Sequence, residues 1–264
     1  MKPVIYLASD STVQSYDPAL YPQTGWGQVL IHAFFGTLSD AAAHAPGEYP
    51  SQIRVSHPAT TAFSHVIRYD TDRIAIDNRA FAGRSARSFY DEGRLDDLAA
   101  CLKPGDYLFL QFAHNDANAS KPERYIPIEE YPNWLDLYVR TAKKAGATPV
   151  LITAITMRTF CADGSLPVSF PDYRQAMLTY AEQKHLPCID LGELTRAYCE
   201  ALGPEGTRNI FMCLNKGEYP GGPYCEGKED NAHLQYQGAL AFAGLLADGI
   251  RSCPQLRELA AYLP

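Results

Sequence analysis

Residues 106–112 read DYLFLQF, a largely apolar run entered through Lys103-Pro104-Gly105-Asp106 and left through Ala113-His114-Asn115-Asp116. A run this short, bounded by a glycine turn and polar residues, reads as a strand buried on both faces. Four more runs share the character: Pro3 to Ala8 (PVIYLA), Arg73 to Ile76 (RIAI), Thr148 to Ala154 (TPVLITA) and Leu186 to Ile189 (LPCI). Amphipathic stretches separate them, at about 27–35, 85–101, 128–145, 171–184, 191–202 and 234–251. Lys144-Ala145-Gly146-Ala147 is a second helix-to-strand turn, with glycine where a left-handed residue is wanted. Strands alternating with helices predict an α/β chain in three layers, α/β/α, around a parallel sheet of about five strands.

At 264 residues, with no internal repeat, charge block or linker, residues 1–264 read as a single domain. Hydrophobic residues are 46% and charged residues 20% of the chain, which excludes a disordered protein. Lys and Arg number 23 against 30 Asp and Glu, a formal net charge of −7. That balance argues against nucleic acid or an anionic membrane as the main partner. The seven cysteines (101, 161, 188, 199, 213, 225 and 253) are scattered with no CxxC pair, so they read as reduced thiols rather than a disulfide framework or a zinc site. The opening MKPVIYLASDS has one lysine and too short an apolar run for a secretory signal or a membrane span. Together these give the expectation of a cytoplasmic protein. Two stretches break the rhythm, an insert at about 36–69 and an irregular Gly/Pro-rich loop at about 204–229. Loops of that length are functional or partly disordered. The second runs directly into a histidine, which favours function.

In open parallel sheets, ligands bind beyond the carboxyl ends of the strands. There the sequence places Ser9-Asp10-Ser11-Thr12, then Asn78 to Ser85, then Ala113-His114-Asn115-Asp116. Last comes Asp230-Asn231-Ala232-His233, read as the opening of the final helix. A hydroxyl, a glycine turn, an amide and an Asp/His pair are the parts acyl transfer needs: a nucleophile, a base, an orienting carboxylate and oxyanion donors. At a helix start, Asp230 and His233 would share one turn, and the helix N-terminus would favour the carboxylate. Each residue also has a plainer role. Ser11 and Asp230 are acceptable helix caps, Asn115 a turn residue, and Gly83 the glycine of any tight turn. His114 reads as a hydrogen-bonded structural residue.

These blocks, in this order, resemble those of the SGNH (GDSL-type) hydrolases, and within them the rhamnogalacturonan acetylesterases. The matching pieces are Ser9 to Thr12, Gly25-Trp26-Gly27, Ala82 to Phe89, Gln111 to Asp116, and Asp230 to Ala239 (DNAHLQYQGA). The resemblance implies the SGNH fold, a flavodoxin-like three-layer α/β/α arrangement. It implies Ser11 as nucleophile, His233 as general base and Asp230 as its orienting carboxylate. The backbone N–H groups of Ser11 and Gly83 and the side-chain amide of Asn115 would form the oxyanion hole. The implied activity is deacetylation of acetylated rhamnogalacturonan (pectin) oligosaccharides through an acyl-enzyme, without cofactor or metal. Arg84 reads either as a contact for an acidic sugar or as partner of a carboxylate; Trp26 reads as a sugar platform or as core. The chain departs from the family with Ser9 and Ala113 where glycine is usual, and with a longer segment over 34–69.

Other catalytic motifs are missing: there is no GxSxG, GxGxxG, Walker A or HExxH. The nearest approach is Gly83-Arg84-Ser85-Ala86-Arg87, which keeps Ser85 as an alternative nucleophile. SGNH hydrolases acting on other acyl groups are a second reading. A metallophosphoesterase caging an ion among Asp10, Asn115, Asp116, Asp230 and His233 is a third, and it lacks the usual Asp-x-His. A non-catalytic flavodoxin-like binding module is the last, and it lacks a phosphate cradle after the first strand.

Overall fold

The computed structural model describes residues 2–36, 38 and 47–264. β1 (Val4–Ser9) is buried along its whole length. Ile5 and Leu7 point to one side of the sheet, and Val4, Tyr6 and Ala8 to the other, as the two-residue period of a strand requires. An apolar run without alternation is therefore what a strand between two helical layers must have. Around β1 lie β2 (Arg54–Ser56), β3 (Ile67–Asp70), β4 (Ala75–Asn78), β5 (Tyr107–Gln111), β6 (Thr148–Ile152) and β7 (Cys188–Ile189). They form one seven-stranded sheet in the order β2-β3-β4-β1-β5-β6-β7.

The five strands read from apolar runs are the parallel ones, β4-β1-β5-β6-β7. The other two correct the expectation of about five. β2 and β3 come from the 36–69 insert and extend the sheet antiparallel beyond β4. They are three and four residues long and only partly buried, so no apolar run announced them. Residues 37 and 39–46 of that insert lie outside the described residues.

One helical layer holds α1 (Trp26–Phe35), whose Val29, Leu30 and Phe34 pack against Ile5, Leu7 and Phe109. The other holds α2 (Ala86–Asp91) and α3 (Arg94–Ala99), then α4 (Tyr131–Lys144) and α5 (Pro171–Gln183), around Phe89, Tyr138 and Met177. The single helix expected over 85–101 is thus two, because Gly93 adopts φ +74, outside right-handed helix, between them. Ser85 is fully buried and caps α2, with Ser88 completing a capping box. That removes Ser85 as an alternative nucleophile. The chain continues through α6 (Leu191–Gly206) to a hairpin of β8 (Phe211–Leu214) and β9 (Lys228–Leu234). It ends with α7 (Tyr236–Ser252), packed beside α1 in the first layer, and the short α8 (Arg257–Ala260). The hairpin corrects the reading of 204–229 as irregular throughout. Among the described residues, no helix is long and apolar enough to cross a membrane.

Candidate active site

β1 runs out at Ser9, and the turn after it is drawn tight by Asp10. Its Oδ1 accepts from the backbone N–H and the hydroxyl of Thr12, at 2.9 and 2.8 Å. Such Asp-to-backbone bonds two residues on are the usual way to close a turn, and this one lifts Ser11 clear of the sheet edge. Ser9, where the resembling family has glycine, fits without strain: its buried hydroxyl donates to the Gln111 carbonyl on β5. Gln111 locks the turn from below. Its amide donates to Thr12 Oγ1 at 2.8 Å, and its oxygen accepts from Trp26 Nε1 at 3.1 Å. Trp26 is 1% exposed, so it is a core residue that braces the turn carrying Ser11, which overturns its assignment as a sugar platform.

His233 arrives on β9, and here the local structure differs from expectation. Met212 of β8 faces Asp230, yet its neighbour Phe211 faces Leu234, so residues 231–233 bulge out of the ladder. Asp230 and His233 are therefore on a bulged strand rather than a helix start, since α7 begins only at Tyr236 with Gln235 as its cap. The bulge lets two residues three apart face each other. Asp230 Oδ1 accepts from the N–H of Ala232 and of His233, both at 3.0 Å. Its Oδ2 lies 2.8 Å from His233 Nδ1, and His233 Nε2 lies 2.9 Å from Ser11 Oγ. With Nδ1–H donating to the carboxylate, Nε2 is the acceptor for the serine hydroxyl. Burial alone would raise the pKa of Asp230. The hydrogen bonds and charge of His233, with the Ala232 N–H, outweigh it and hold the carboxyl far below the usual range. The helix-terminus argument for this carboxylate falls away; these N–H groups replace it.

The loop after β4 is tied to the turn carrying Ser11 and to Asn115 but, Gly83 included, is not among the residues lining the cleft. Phe81 N–H donates to the Ser9 carbonyl at 3.1 Å. Gly83 stands at φ +79, where a side chain would be strained, and Arg124 donates to its carbonyl at 3.1 Å. Asn115, beyond β5, donates its amide to the Arg84 carbonyl at 3.0 Å and so joins this loop to the cleft. Arg84 itself pairs with Glu92 at 2.9 Å and lies 4.4 Å from the Phe81 ring centre, which fits the carboxylate-partner reading.

Ser11, Asn115 and His233 line one cleft of ≈ 420 Å³ together with His114, Met157 and Phe170. Met157 and Phe170 were not legible in the sequence. Phe170 has φ +53, and its ring meets His114 edge-on at 4.8 Å. His114 corrects the expectation of a hydrogen-bonded residue. Neither ring nitrogen has a hydrogen-bond partner among the described residues, and Nδ1 stands 3.6 Å from Asp10 Oδ2. Burial pushes its pKa down, against the pull of Asp10. Asp116 is buried too, which pushes its carboxyl up to about 8, while Oδ1 accepts from the Ala86 N–H that opens α2. Among the described residues, no group of three or more His, Cys, Asp or Glu is placed to hold a metal ion. All seven cysteines are free thiols.

A hydrogen-bonded chain of serine, histidine and aspartate beside the carboxyl edge of a parallel sheet, with an asparagine in the same cleft, fits a carboxylic ester hydrolase of the SGNH (GDSL) class, and the relatives show that class. Its relatives narrow this further, and the chain belongs to the rhamnogalacturonan acetylesterase family. It is 34% identical over 250 residues to rhamnogalacturonan acetylesterase RhgT of Bacillus subtilis (strain 168), covering 94% of this chain and 90% of that protein. Probable rhamnogalacturonan acetylesterase YesY of the same organism is 34% identical over 248 residues, covering 94% and 92%. The crystal structure of YXIM from Bacillus subtilis superposes with a TM-score of 0.69 at 28% identity, over 95% of this chain and 56% of that one. Axe2, an acetylxylan esterase from Geobacillus stearothermophilus, shares the fold at 11% identity with a TM-score of 0.57, over 94% of this chain and 93% of that one. No model of a known protein family matches the chain.

Proposed function

We propose that the protein removes acetyl groups from carbohydrate, with acetylated rhamnogalacturonan (pectin) oligosaccharides as substrates. The relay Ser11–His233–Asp230, with hydrogen bonds of 2.9 and 2.8 Å facing one cleft, carries this reading. The names of the relatives support the choice of acetyl and sugar. Ser11 Oγ attacks the acetyl carbonyl carbon while its proton passes to His233 Nε2. The carbonyl electron pair moves onto oxygen, where the N–H groups of Ser11 and Gly83 and the free N–H of the Asn115 amide receive it. An amide carries two N–H donors, and the Arg84 carbonyl engages one, leaving the second for the oxyanion. Collapse expels the sugar oxygen, which takes the proton from the imidazolium. Water then attacks the acetyl-serine with His233 as base, and acetate leaves as Ser11 regains its proton. Asp230 stays ionised throughout and holds the ring in the required tautomer. The seven free thiols support a reducing compartment, so the reaction is assigned to the cytoplasm, on imported oligosaccharides.

The test is a serine-reactive phosphonate followed by peptide mass mapping, alongside acetate release from acetylated rhamnogalacturonan oligosaccharides. Modification of Ser11 with parallel loss of acetate release is the expected result, unchanged by a chelator. Modification elsewhere, or activity that chelator abolishes, rejects the mechanism.

A further inference from the structure

Lys228 opens β9 two residues before Asp230, and its ammonium lies 3.1 Å from Oδ2. This is the same oxygen that faces His233 Nδ1 at 2.8 Å. The lysine is held from two other sides. Nζ donates to Gln23 Oε1 at 3.3 Å and stands 5.2 Å from the centre of the Tyr224 ring. The Tyr224 hydroxyl donates to the same Gln23 oxygen at 2.6 Å, and Gln23 is bridged to Gln235 just beyond β9. Two polar contacts and an aromatic face thus hold a flexible side chain at one point.

We propose that Lys228 is a positioning residue for the catalytic base. By sharing Oδ2 it draws on the carboxylate's charge, so that the reaction persists to lower pH than it would in a Ser-His-Asp relay without it. The inference rests on the reading of Ser11, His233 and Asp230 as the relay. Its physics is a balance of charges. A proton on His233 makes a cation that Asp230 favours, and a second cation beside Asp230 opposes it. An exposed pair of this kind contributes little. Here the lysine side chain is 30% exposed and the aspartate 18%, so solvent and salt screen the pair less.

The other charged groups around the relay do not duplicate the effect. Glu229, the neighbour on β9, faces Arg158 and Arg208 at 3.6 and 3.7 Å. Arg158 also binds Asn231, through its side-chain oxygen at 3.2 Å. From the nucleophile turn come Asp10, engaged with Thr12, and the Tyr16 hydroxyl, which donates to the Ser11 carbonyl at 2.8 Å. His114 faces the cleft from beyond β5, buried next to Asp10. Among the described residues, Lys228 is the only lysine or arginine paired with Asp230.

The experiment is the pH profile of kcat/KM on an aryl acetate for the intact protein and for Lys228→Met, Lys228→Arg, Asp230→Asn and Ser11→Ala. In Lys228→Met the acidic limb should move up by about half a unit to one unit, the size expected for one partly screened charge. Its plateau should fall far less than that of Asp230→Asn. Lys228→Arg should restore the wild-type limb, and high salt should move the wild-type limb toward that of Lys228→Met. A limb that stays in place in Lys228→Met overturns the inference, as does an equal shift in Lys228→Arg or a plateau as low as that of Asp230→Asn. If Ser11→Ala keeps full turnover, the relay reading itself has failed. If Ser11→Ala is inactive and the Lys228→Met limb is unmoved, only the role of Lys228 has failed.

Discussion

His233 Nε2 and Ser11 Oγ stand 2.9 Å apart across 222 residues of chain. Ser11 sits in the turn just past the central strand β1, and His233 lies in the bulge of the separate β8–β9 hairpin. The separation lies within the reach of about 2.6–3.2 Å that a base needs to take a serine hydroxyl proton.

If the Asn115 amide receives the oxyanion, Asn115→Ala should lower kcat on an aryl acetate by a factor of about 10²–10³, and Ser11→Ala by more. Steady-state kinetics with circular dichroism as a folding control will decide it. An Asn115→Ala enzyme with wild-type turnover removes that donor from the mechanism.

Asp230 is held ionised in the fold, with its pKa depressed below that of an unfolded aspartate. A depressed carboxylate adds stability that is complete above the unfolded value of about 3.9 and is lost as pH falls through the folded value. Asp230→Asn should therefore melt earlier than the wild type at pH 7, and the gap should narrow below pH ~4. Thermal melts across that range supply the measurement, and a gap independent of pH would contradict the assignment.

Asp116 has the opposite sign. Its buried carboxyl is pushed up to about 8, so the fold favours the protonated form. Its contribution is present below the unfolded value of about 3.9 and declines as pH rises toward 8. Asp116→Asn does not ionise, so its melting temperature relative to wild type should climb between pH 4 and pH 8. A flat difference across that interval would falsify the buried, protonated state.

Trp26 braces Gln111 with the one polar atom of its side chain. Trp26→Phe keeps an aromatic in the core but leaves Gln111 Oε1 without its 3.1 Å donor. The expected loss is about 1–3 kcal/mol of stability, read by denaturant unfolding. KM for an acetylated oligosaccharide should change little, whereas a sugar-stacking role predicts a large rise.

Much of the fold was legible because burial on both faces leaves a mark on sequence. Ile5, Leu7, Phe109 and Val150 must be apolar, and so must their neighbours Tyr6, Leu108 and Leu151 on the opposite face. The parallel strands therefore stood out as runs. β2 and β3 did not, because β2 is a largely exposed edge strand of three residues and β3 is four residues long and buried only at Tyr69 and Asp70, so neither carries an apolar run. The split between α2 and α3 hid behind one glycine, whose left-handed backbone is allowed but not dictated by its identity.

The sequence by itself singled out the polar groups of the candidate site: Ser11 and Asn115 follow the ends of β1 and β5, and Asp230 and His233 stand three apart near the chain's last strand. Tertiary structure alone decided how Asp230 meets His233, which residues wall the cleft, and that Trp26 faces inward. Lys228 beside Asp230 belongs with these. The bulge exists only because β8 pairs with both ends of β9 and leaves residues 231–233 unmatched. Such a register is set by the packing of two strands against each other, and no local periodicity in either one encodes it.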